Sequence, residues 1–87
     1  MVDVKLKSFK YIDTSNLRWP VIVVYNSPKD YPGKIVARVF ELDKPTNAVV
    51  FAKSLDKMRK KIMVAYPWMA RTTRHPDDEK TVVEVWI

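Results

Sequence analysis

Ser54-Leu55-Asp56-Lys57-Met58-Arg59-Lys60-Lys61-Ile62-Met63-Val64-Ala65-Tyr66-Pro67 is the stretch where the apolar residues recur at helical spacing, and it decides the fold class. Leu55, Met58, Ile62 and Ala65 follow one another along one face of a helix and form a single apolar stripe. Lys53, Lys57, Lys60 and Lys61 fall on the opposite arc. Ser54 suits the cap position, and Asp56 lies in the first turn, where negative charge favours the helix dipole. Pro67 disfavours helical geometry at Tyr66 and ends the run, so the expected helix covers residues 55–65.

On both sides of this segment the pattern is that of strands. Val2, Val4 and Leu6 alternate with Asp3, Lys5 and Lys7; the phase then slips at Ser8 to Phe9 and Tyr11, the mark of a bulge or a strand end. Asp13-Thr14-Ser15-Asn16 is a loop of residues that bond their own backbone. Residues 19–26 form the most apolar strand and the expected sheet centre, with Pro20 tolerated near its start. Pro32-Gly33 suits the two central positions of a type II turn. A strand over 34–42, a loop over 43–47 and a short strand over 48–52 complete an antiparallel meander. After the helix, a loop over 67–80 leads to a last strand over 81–87, apolar on both faces and therefore interior. The expected architecture is one α+β domain, residues 1–87: an antiparallel or mixed sheet of four to five strands in ββββαβ order, with one helix packed on one face and burying Leu55, Met58 and Ile62.

Eighty-seven residues make one small domain. An apolar fraction of 47% is too high for a disordered chain. There is no Cys, which excludes disulfides, thiolate metal ligands and thiol nucleophiles. Gly33 is the only glycine, which excludes a dinucleotide-binding fingerprint, a P-loop and a Gly-x-Ser-x-Gly nucleophile elbow. The one histidine, His75, stands beside Pro76 and the acids Asp77-Asp78-Glu79, and one histidine with adjacent acids is not a convergent site. These charges fit a solvated loop offsetting Arg71 and Arg74. Glu84, set between Val83 and Val85, either reaches the sheet edge or pairs with a base such as Arg38, and a structural pair is the expectation. No catalytic residue, metal or cofactor is expected, so the chain does not read as an enzyme. The N-terminus lacks the apolar core of a signal peptide, and no apolar run reaches the ~20 residues of a membrane span. The expectation is a cytoplasmic protein with no membrane partner.

The net charge of +6 is confined to one segment. Residues 53–74 hold seven Lys or Arg against the single acid Asp56, and the rest of the chain is balanced. Charge gathered in one place points to an anionic partner. The candidate contacts are Lys53, Lys57, Lys60, Lys61, Arg71 and Arg74, with Tyr66 and Trp68 as stacking candidates, because interleaved basic and aromatic residues suit a nucleic-acid strand. Other readings stay open. The lysines can be the solvated face of a packed helix while Tyr66, Trp68 and Met69 close the core, and the domain then binds no anion. The partner can be an acidic protein, or a second copy paired through an edge strand.

Val21-Ile22-Val23-Val24-Tyr25, Lys34-Ile35-Val36-Ala37-Arg38-Val39-Phe40 and Ser54-Leu55-Asp56-Lys57-Met58 together resemble the βββα core of HicB-like antitoxins, small bacterial proteins with a partial RNase H-like fold. The resemblance rests on patterning across about half of the chain. It implies that fold and a protein–protein role as an antitoxin.

Overall fold

The computed structural model describes residues 3–12, 17–73 and 80–87. The chain runs β1 (Val4–Leu6), a 3-10 turn (Phe9–Tyr11), β2 (Pro20–Asn26), β3 (Ile35–Glu41), β4 (Lys44–Ala52), α1 (Leu55–Ala65), β5 (Arg71–Thr73) and β6 (Val82–Trp86). All six strands share one sheet in the order β1-β4-β3-β2-β6-β5. Only the β1–β4 pair is parallel, so the sheet is mixed.

The helix forms over the expected residues. The Ser54 side chain accepts the Lys57 N–H, and the Tyr66 N–H closes the last turn on the Ile62 carbonyl. Met58 and Ile62 are fully buried, with Leu55 and Ala65 packed beside them. They meet Ile22 and Val24 of β2, Ala37 and Val39 of β3, Val50 of β4 and Trp86 of β6. These strand residues alternate with others on the far face, as the period of two requires. Phe9 and Tyr66 close one end of this core with ring centroids 5.7 Å apart.

Among the described residues the sheet has six strands rather than four or five, and the order is ββββαββ rather than ββββαβ. The added strand, β5, lies inside the expected 67–80 loop. Its three residues are all exposed at the sheet edge, so they carry no apolar alternation that a sequence pattern could register. The loop expected over 43–47 is mostly strand as well: β4 starts at Lys44, and Leu42-Asp43 alone turn the chain, with Glu41 opposite Lys44. Pro45 fits because β1 covers only Ala48–Val50 of β4, which leaves the segment around Pro45 at an edge. The phase slip at Ser8 is a strand end running into the 3-10 turn, in which Phe9 is buried and Tyr11 is exposed. Gly33 has φ +77°, the positive value its turn position demands.

Glu84 is 2% exposed and does pair, but with Arg59 rather than Arg38. Glu84 stands opposite Val24 on the helix-facing side of the sheet. Arg38 stands opposite Val23 and Val49 on the other side, out of its reach. There it makes a two-pronged bond to Asp3, with Nη1 at 2.9 Å and Nη2 at 2.8 Å, and also donates to the Thr46 carbonyl. Tyr31 donates its hydroxyl to the same carboxylate.

Candidate nucleic-acid interface

On a helix that advances 100° per residue, Lys57 and Lys60 point away from the buried stripe, and both are exposed, as is Lys53 just ahead of the Ser54 cap. Arg59 and Lys61 fall on its two flanks, and each reaches a different part of the sheet. Arg59 donates from Nη2 at 2.7 Å and Nε at 3.1 Å to Glu84, a bond that raises its already high pKa. The Trp86 indole donates to the second Glu84 oxygen at 2.7 Å. Arg59 is therefore held against the sheet, with its charge offset by Glu84. Lys61 Nζ donates to the Lys7 carbonyl at 2.6 Å and ties α1 to the end of β1.

That tie brings together residues distant in sequence. One shallow depression of about 520 Å³ is bordered by Lys5, Lys7, Lys53, Lys57 and Lys61 around Leu6 and Phe51. A second, of about 630 Å³, lies between the 3-10 turn and the C-terminal half of α1, with Lys10, Lys60 and Lys61 around Phe9, Ile12, Val64 and Trp68. Among the described residues, no carboxylate lines either one. Lys10 also stands over the Tyr11 ring, 5.1 Å from its centroid. Lys7 and Lys10 thus stand near the helix lysines, whereas Lys5, opposite Val49, holds its ammonium over the Tyr31 ring, 5.5 Å from the centroid, on the Arg38 side of the sheet. Sequence reasoning missed Lys7 and Lys10 because they belong to a charge-balanced region, and no local signal gives the parallel pairing of β1 with β4.

The remaining candidates divide. Arg71 is half-exposed, with Nη1 3.9 Å from Glu84, so part of its charge is already offset. Arg74, His75 and the acids Asp77-Asp78-Glu79 lie outside the described residues. Tyr66 is 6% exposed and belongs to the core, which corrects its assignment as a stacking residue: its ring packs against Phe9 and Trp68. Trp68 is 71% exposed. Among the described residues no group of His, Cys, Asp and Glu is placed to hold a metal, and no helix is long and apolar enough to cross a membrane. Compared with known proteins, the chain matches no family model, no curated protein and no solved structure.

Proposed function

We propose that this domain is a non-catalytic binding module whose lysine face contacts the phosphate backbone of nucleic acid. The observation that carries the reading is the gathering of Lys7 and Lys10 beside Lys53, Lys57, Lys60 and Lys61 around two depressions that, among the described residues, no carboxylate lines. Lysines placed this way neutralise phosphates without reading bases, and each contact releases condensed counterions. Binding is then weak in sequence preference and steep in salt dependence.

The test is a titration of labelled RNA and DNA at two salt concentrations with the native chain and with Lys57→Glu/Lys60→Glu. The expected result is binding at low salt that falls steeply as salt rises and is largely lost in the variant. Absence of binding at low salt would overturn the proposal, and selective capture of a polyglutamate chain would replace it with an acidic protein partner.

A further inference from the structure

The groove between the 3-10 turn and α1 differs from the rest of the lysine face in its floor. Phe9, Tyr66 and Trp68 form a ladder of edge-to-face rings with centroid separations of 5.7 and 5.6 Å. The first two rings are buried, at 2% and 6%, and the third is 71% exposed. The Met69 N–H bonds back to the Tyr66 carbonyl, so the backbone turn that carries Trp68 is itself held. An indole is therefore anchored to the core at one end of the ladder and presented to solvent at the other. Val64, 85% exposed, lies beside it, so the apolar surface continues onto the helix. Lys10, Lys60 and Lys61 border this surface.

Lysines alone would serve a duplex as well as a single strand, because both present phosphates. A duplex keeps its base faces stacked inside, however, and offers nothing to an exposed indole. An unpaired nucleotide supplies both halves of what the groove presents, a flat apolar base and anionic phosphates on either side of it. Resting on the nucleic-acid reading above, we infer that this groove takes an unpaired base of a single strand, which stacks on Trp68 while the neighbouring phosphates meet Lys10 and Lys60. The groove volume, about 630 Å³, lies within the range of about 300–1,000 Å³ usual for small-ligand sites.

The experiment compares a short labelled oligouridine with an RNA duplex of the same length, using the native chain, Trp68→Ala and Trp68→Phe, with tryptophan fluorescence as a second readout. The expected result is tighter binding of the single strand, weakened roughly 5- to 150-fold in Trp68→Ala. Duplex binding should be unchanged by either substitution, and Trp68→Phe should keep part of the affinity while losing the fluorescence quench. Equal binding of single strand and duplex, indifferent to Trp68, would overturn this inference and leave the phosphate-backbone reading standing. Failure of both nucleic acids to bind at low salt would overturn both. Quenching of Trp68 by polyglutamate and not by oligouridine would assign the groove to an acidic peptide and also overturn both.

Discussion

Glu84 and Asp3 are carboxylates held by arginines on opposite faces of the same sheet, and their surroundings set different consequences for substitution. Glu84 accepts from Arg59 and from the buried Trp86 indole, and only 3% of its side chain is exposed. Glu84→Ala leaves the indole N–H without an acceptor and should cost about 1–3 kcal/mol in urea unfolding. Glu84→Gln keeps an oxygen for the indole and should cost less; equal losses would show that the Arg59 pairing, and not the indole bond, dominates. Asp3 is held at a pKa of about 2, first by its hydrogen bonds from Arg38 and then by that from Tyr31. A carboxylate with a depressed folded-state pKa stabilises the fold above its ordinary value near 3.8 and loses that contribution as the pH falls toward 2. The stability difference between the native chain and Asp3→Asn should be constant above about pH 5 and shrink as the pH falls toward 2. A difference that stays flat through that window would mean that the carboxylate charge contributes nothing.

Two elements carry local signals that can be tested alone. The Ser54 cap on α1 should be worth about 1 kcal/mol, read as the loss in Ser54→Ala and recovered in Ser54→Asp. The β3–β4 hairpin turns through Leu42-Asp43 with Leu42 at φ +55°, a backbone region where a bulky side chain is strained and glycine is usual. Leu42 is 60% exposed, so removing its side chain sacrifices little packing. Leu42→Gly should relieve about 1–2 kcal/mol of strain against about 0.5–1 kcal/mol of added chain entropy, a small net rise in thermal midpoint. A fall would show that the leucine side chain packs more than its exposure implies. The same elements show where local pattern succeeds. The helix was legible to its terminal residues because stripe, cap and Pro67 agree. The turn at 42–43 was not, because Asp43-Lys44-Pro45-Thr46-Asn47 has loop composition, and only the pairing with β3 holds Lys44 and the residues after it in a strand.

At the scale of the whole molecule, the lysine face is built by topology. The parallel pairing of β1 with β4 and the Lys61–Lys7 bond bring residues 7–10 beside residues 53–61. Lys10→Ala should therefore weaken nucleic-acid binding about as much as Lys60→Ala and lower the salt slope by roughly 0.7–0.9, whereas Lys29→Ala, on the depression beside Arg38 across the sheet, should leave both unchanged. An effect of Lys60 without one of Lys10 would confine the interface to the helix. The sequence by itself determined the α+β class, the single helix with its buried Met58 and Ile62, the antiparallel meander ahead of it and the excess of positive charge in residues 53–74. Each of these follows from periodicity, capping, turn chemistry or composition, which act between near neighbours in the chain. Only the tertiary structure decided that β5 pairs at the edge, that Glu84 meets Arg59 while Arg38 meets Asp3, that Tyr66 is core and Trp68 is surface, and that Lys7 and Lys10 come to lie near the helix. Those outcomes depend on which strand lies beside which and on which face each side chain emerges, and contacts between residues far apart in sequence leave no local pattern to read.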